Sequence, residues 1–229
     1  YDRQSAYTSS VKAIEGNKPT LPTTSFSGPT TLIPMNLPSL RPQDTYGVYL
    51  AAASADGRPA WLGCTVQASY DNQASWQNVT QIIEASVLGS ISMTEPVGGE
   101  PLTVKVNNDL ESATDDQLAA KANAFALVHA TGTEICQFKT ATETATEHEY
   151  ELTDVLRGQL GTTEVAGAIG DRFVMLDSVY FLPIDISFKD KTIYFRDVGL
   201  GEVADEAGVV SIVYQPDTTV IHDGGVVTP

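Results

Sequence analysis

A chain of 229 residues with 42% hydrophobic content can bury one large core or two small ones without covalent staples. Its 29 acidic against 13 basic residues leave a formal charge of −16, which repels phosphate backbones and anionic membrane surfaces and argues against nucleic-acid binding. The longest apolar runs, such as Val48 to Ala53, fall far short of the roughly 20 residues of a membrane span, so no span is expected.

In chain order, residues 1–40 are polar and then proline-rich, with Pro19, Pro22, Pro29, Pro34 and Pro38, and Pro42 follows. Prolines at that density forbid helix and favour extended backbone, so 1–40 is expected to be a connector or arm laid over a surface. With Tyr1 at its head and no charged-then-apolar leader, the sequence is expected to be part of a longer polypeptide. From Tyr46 the texture becomes strand-like. Tyr46 to Ala53 and Trp61 to Ser69 flank the turn Asp56-Gly57-Arg58-Pro59, and a hairpin is the expected join.

Ser69-Tyr70-Asp71-Asn72-Gln73-Ala74-Ser75-Trp76 then resembles an Asp-box, the S-x-D-x-G-x-x-W turn of sialidase propellers, with Gln73 where that motif has glycine. In such a turn the Asp71 side chain caps downstream amides and Trp76 packs beneath. One copy does not make a propeller. Further strands are expected over 76–83, 87–94 and 102–106, broken by Gly98-Gly99-Glu100-Pro101. Thr114-Asp115-Asp116-Gln117 has the capping-box pattern and predicts a short helix over 115–122. A hairpin of 124–129 and 133–141 around Ala130-Thr131-Gly132 follows, and Glu143, Glu147 and Glu149 belong on a solvated loop and strand face.

Tyr150 and Leu152 alternate with polar neighbours into a turn punctuated by Gly158 and Gly161, both able to take positive φ. Arg157 sits inside that loop. Its five donors are expected to be buried against carbonyls or a nearby carboxylate, a structural staple rather than a ligand site. Strands over 172–177, 180–188, 192–196 and 209–214 complete the chain. The expected organisation is a mainly β domain over 41–215, a sandwich or pair of small antiparallel sheets with one short helix, possible to divide near 183, and a loose tail over 216–229. No repeat of 20 to 50 residues is visible.

The segment Leu152-Thr153-Asp154-Val155-Leu156-Arg157-Gly158-Gln159-Leu160-Gly161-Thr162, followed by Gly170-Asp171-Arg172-Phe173-Val174-Met175-Leu176-Asp177, resembles a signature L-x-x-L-L-R-G-x-x-G-T … G-x-R-F-V-L-L-D. That signature belongs to the C-terminal region of the tail-tip hub ("host specificity") proteins of tailed phages and gene transfer agents. Shorter pieces, including Leu37-Pro38-Ser39-Leu40, Trp61-Leu62-Gly63 and Leu110-Glu111-Ser112, extend the likeness to residues 35–180. Leu152, Leu156, Arg157, Gly158, Gly161, Thr162, Phe173 and Asp177 carry the motif. The family's usual histidine and longer spacer are missing here, because Ile169 directly precedes Gly170. The resemblance implies a structural part of a virion tail tip or baseplate hub, a homotrimer contacting other tail-tip proteins and assembled in the host cytoplasm. Its work would be tail assembly with host attachment or genome delivery.

Catalysis needs a constellation, and none shows: no G-x-S-x-G, Walker loop, H-E-x-x-H or EF-hand loop is present. No enzyme activity and no cofactor are expected. His129, His148 and His222 stand apart in sequence. Asp115-Asp116 and Asn107-Asn108-Asp109 offer oxygens to a hard cation, but such pairs more often cap helices and turns, and no metal is expected. Two alternatives remain. Trp61, Trp76 and Tyr70, with Tyr46 and Tyr49 close in sequence, are candidate stacking surfaces for a host glycan or receptor. A carbohydrate-active enzyme would need two poised carboxylates, and no pair is indicated. Cys64 and Cys136 lack metal or scaffold spacing and are expected to be buried small hydrophobes, a mutual disulfide being the alternative.

Overall fold

The computed structural model describes residues 28–56, 61–95 and 101–217. In chain order the strands are β1 (Thr30–Met35), β2 (Gly47–Ser54), β3 (Cys64–Ser69), β4 (Gln77–Ile82), β5 (Leu88–Ile91), β6 (Leu102–Val106), β7 (Ala124–His129), β8 (Gly132–Glu143), β9 (Glu149–Leu156), β10 (Arg172–Met175), β11 (Tyr180–Pro183), β12 (Thr192–Gly199) and β13 (Val209–Val213). Helix α1 (Asp115–Ala119) lies between β6 and β7. The mainly β antiparallel architecture with one short α-helix is therefore as expected among the described residues.

The strands form three sheets. A three-stranded sheet β1-β2-β11 packs on a four-stranded sheet β13-β12-β3-β4, enclosing Leu32, Val48, Leu50, Val66, Ala68, Ile193, Phe195 and Tyr214. Between β4 and β11 the chain closes a six-stranded antiparallel barrel, β10-β5-β6-β9-β8-β7. The barrel is filled by Leu102, Val104, Phe125, Leu127, Phe138, Leu152 and Phe173, with the Phe125 and Phe173 rings stacked at 4.8 Å. A sandwich thus carries a barrel as an insertion.

β2 explains how the two parts cohere. Successive side chains of a strand point to opposite faces, so Val48, Leu50 and Ala52 enter the sandwich while Tyr49, Ala51 and Ala53 meet Leu88, Ala126, Ile135 and Val174 of the barrel side. A strand buried on both faces reads as a continuous apolar run, which is what Val48 to Ala53 is. Tyr49 keeps its hydroxyl satisfied in that interface by donating to Asp44 Oδ2 at 2.8 Å.

Several local expectations shift. β2 and β3 are not a hairpin: they lie in different sheets, because β2 pairs with β1 and β11 and the chain crosses layers before β3. Of the expected connector, residues 30–35 form β1 in full register with β2, from Thr30↔Ser54 to Met35↔Tyr49, and residues 1–27 lie outside the described residues. The run 180–188 is not one strand, since β11 stops at Pro183 and Asp185 caps a 3-10 turn over Ile186–Phe188. The capping box at Thr114 and Gln117 is present in both directions, though α1 is shorter than 115–122. The hairpin β7–β8 forms with Val128↔Thr133 flanking the turn.

Candidate functional site: a buried charge network at one end of the barrel

A change of phase in β9 creates the site. Tyr150 and Leu152 face the barrel interior, and simple alternation would send Asp154 and Leu156 inward and Arg157 out. Instead the β8–β9 ladder skips from Thr140↔Thr153 to Phe138↔Val155, and Asp154 takes φ 54° at the skipped position. Val155 then packs on the barrel core, Leu156 is 47% exposed, and the Arg157 side chain turns inward with 10% exposure.

Arg157 meets two carboxylates from distant strands. Its Nε and Nη2 donate to Glu134 Oε1 and Oε2 at 2.9 and 2.8 Å, a two-pronged pair with a fully buried partner. Nη1 donates to Glu95, and Nη2 also donates to the Val165 carbonyl at 2.6 Å. Glu134 further accepts from the Gly158 and Val165 amides at 2.8 and 3.1 Å, and Glu95 accepts from the Gly167 amide. Beside them, His129 Nδ1 lies 2.7 Å from Asp171 Oδ2, which also accepts from the Ala168 amide at 2.8 Å. β5, β7 and β9 end here and β6, β8 and β10 begin here, so every member sits at one end of the barrel.

The network pins the 157–171 loop across that end. Gly158 (φ 59°) makes the turn that lets its amide reach Glu134, and Thr162 Oγ1 accepts from the Ile135 amide at 2.9 Å. Gly167 lies close against the barrel core: a Cβ there would stand 2.4 Å from Ile91 Cδ1, so a larger residue would need that side chain to shift. The loop therefore seals the lumen instead of opening it. Burial pushes Glu134 up, but its bonds from Arg157, Gly158 and Val165 outweigh that and hold its carboxyl below the usual range. The same bonds to Glu134 raise Arg157 above its ordinary value against the opposing effect of burial.

Most of the hydrogen-bonding capacity of this network is spent within it. Arg157 and two amides occupy the lone pairs of Glu134 that a substrate or cation would need. His129 Nε2 is buried without a hydrogen-bond partner, 3.9 Å from Glu134 Oε2. A cleft of about 510 Å³ beside the 159–160 turn is walled by Leu40, Ile135, Leu160 and Met175. None of Glu95, His129, Glu134, Arg157 or Asp171 lines it. Cys136 does, and burial lifts its thiol far above the range of a nucleophile.

The other sequence candidates scatter. Phe173 and Leu152 are core, and Asp177 lies at the edge of that cleft. Asp71 builds its turn, accepting from the Ser75 amide at 2.9 Å and from the Ser69 and Ser75 hydroxyls, which together hold its carboxyl down at about 2. Gln73 replaces the motif's glycine at φ 68°. Trp76 lies against the Arg196 guanidinium at 4.5 Å, whereas Trp61 and Tyr70 pack on the sandwich core. Asp115 pairs with Lys139 at 2.7 Å, and Asn107 is spent on the Leu88 amide and the Ser86 carbonyl. Cys64 and Cys136 are free and buried in separate cores.

Sequence reasoning found Arg157 and missed Glu95, His129, Glu134 and Asp171. One signal was available for Glu134: in Glu134-Ile135-Cys136-Gln137-Phe138 it shares the inward parity of Cys136 and Phe138. Among the described residues no helix is long and apolar enough to cross a membrane. No curated protein matches the chain. Residues 86–174 match the family model described as Rcc01698-like, C-terminal, a family associated with gene transfer agent proteins, and that span runs from just before β5 into β10, so the matched unit is the barrel with its charge network.

Proposed function

We propose that this chain is a non-catalytic structural component of a phage-type or gene-transfer-agent tail tip, working by being held in an assembly rather than through a reactive pocket. The observation that carries the reading is the coincidence of the family match with a sealed barrel whose charged groups are bonded to one another. A bidentate ion pair fully committed to a loop suits a rigid assembly module, because its hydrogen-bonding capacity is spent within the chain. On this reading the chain belongs to a trimeric hub at the distal end of the tail tube, beside other tail-tip proteins, and serves tail assembly with host attachment or genome delivery.

A map of the assembled particle at side-chain resolution tests it. Three copies of the barrel around the tail axis are the expected result, and density for the chain away from the tail tip, or absent from the particle, overturns the proposal. Trp76 favours a second reading, a glycan-contacting surface. It sits over Arg196 beside Gln67 and Asn78, a flat aromatic next to amides that hydrogen-bond each other. Glycan-array binding that disappears in Trp76→Ala supports that reading, and no binding by the native chain rejects it.

A further inference from the structure

The opposite end of the barrel carries a second group of polar side chains. There Asp109 follows β6, Glu143 ends β8 and His148 precedes β9 in the turn between those strands. One ligand atom from each of Asp109, Glu143 and His148 lies within 4.8 Å of the others. His148 Nδ1 is 3.2 Å from Asp109 Oδ1, yet it makes no hydrogen bond and is shut off from solvent. The His148 side chain is 35% exposed, but this ring nitrogen is covered, and the Asp109 carboxylate faces it at ion-pair distance outside hydrogen-bond geometry, which leaves its hydrogen-bonding capacity unused.

We propose that Asp109, Glu143 and His148 form a binding site for a borderline divalent cation, Zn²⁺ in the first instance, with the remaining positions filled by water. Tetrahedral zinc with ligands at about 2.0–2.1 Å places neighbouring ligand atoms about 3.3 Å apart, close to the Asp109–His148 separation. Glu143 is exposed and brings a carboxylate oxygen within 4.8 Å of the other two ligand atoms. An imidazole with two carboxylates suits Zn²⁺ and its first-row neighbours, whereas Ca²⁺ and Mg²⁺ prefer all-oxygen sets. The ion would tie the end of β6 to the β8–β9 turn, and it would neutralise charge in a chain whose formal balance is −16.

The supports of the three ligands are already built. Tyr150 Oη donates to Asp109 Oδ1 at 3.1 Å and orients that ligand from outside the set, and the His148 amide donates to Glu143 Oε1 at 2.8 Å, which ties two members of the set to each other. His148 holds φ 57°, a conformation that a glycine at this turn position adopts without strain.

The test uses the untagged chain, titrated with Co²⁺ and followed by its visible absorption, with Zn²⁺ added in competition. One equivalent of Co²⁺ in a four-coordinate spectrum, displaced by Zn²⁺ but not by equimolar Ca²⁺, is the expected result. Glu143→Gln and His148→Gly should each weaken binding about tenfold or more, while circular dichroism stays unchanged. Zn²⁺ should also raise the melting temperature of the native chain and not of the two variants. No stoichiometric binding, or binding equally tight in both variants, overturns the proposal, the second result because the ion would then sit elsewhere.

Discussion

Replacing Arg157 with methionine removes the guanidinium while keeping an apolar stem of similar reach. Glu134, fully buried, then keeps only its two amide donors, and Glu95, with a side chain 5% exposed, loses its cation. Breaking one partner out of a buried pair costs about 3–5 kcal/mol, and two stranded carboxylates put Arg157→Met in the upper half of that range. For a chain of this size that corresponds to a fall of about 10 °C or more in melting temperature. The double variant Arg157→Met/Glu134→Gln removes one stranded charge and should be less destabilised than Arg157→Met alone. The acid limb has a definite sign. In the native chain Glu134 titrates below its unfolded value, so its contribution is present above that value and is lost as pH falls through the folded one. In Arg157→Met burial acts without the guanidinium and lifts Glu134, so the variant regains stability as pH falls and the two melting curves converge toward acid. Urea and thermal unfolding of the three proteins between pH 7 and pH 4 measure this. An unchanged melting temperature for Arg157→Met, or a double variant worse than the single, would refute the staple.

Asp197, 3% exposed within the sandwich, is pushed up to about 7 by burial, with Glu202 adding to the effect. A raised carboxylate costs nothing below its unfolded value and its full penalty above its folded one, so stability should decline as pH climbs from about 4 to 7. Asp197→Asn should then stabilise the protein at pH 8 by up to about 4 kcal/mol and flatten the pH profile, read by chemical denaturation. Gln73→Gly should raise stability by up to about 1 kcal/mol, because φ 68° costs a side-chain-bearing residue and not glycine. Gly89→Ala should destabilise by about 3 kcal/mol, since its Cβ would stand 2.2 Å from the Lys105 carbonyl across the β5–β6 pair; a near-native melt would show that the pair yields. Cys64, lifted to about 12 by burial, should react with a thiol reagent only as fast as the chain opens, and prompt modification of the folded protein would contradict its placement.

What the amino-acid sequence determined was local. The capping box at Thr114 and Gln117, the positive φ at Gly158 and Gly161, the β7–β8 hairpin and most strand positions follow from near neighbours, whose preferences act over a few residues. The internal commitment of Arg157 was also legible, because a lone charge between Leu156 and Gly158 has few affordable places to go. The tertiary structure decided the rest. Alternation says that a strand has two faces but not what covers them, so Val48 to Ala53 fits a hairpin as well as a strand buried between sandwich and barrel. Closure of β5 to β10 rests on pairings such as Phe173↔Leu127, far apart in sequence and without a local mark. Glu95 and Glu134 become partners of Arg157 only when that closure brings three chain segments to one end, and the inward turn of Arg157 depends on a phase shift at Asp154 that no periodicity announces.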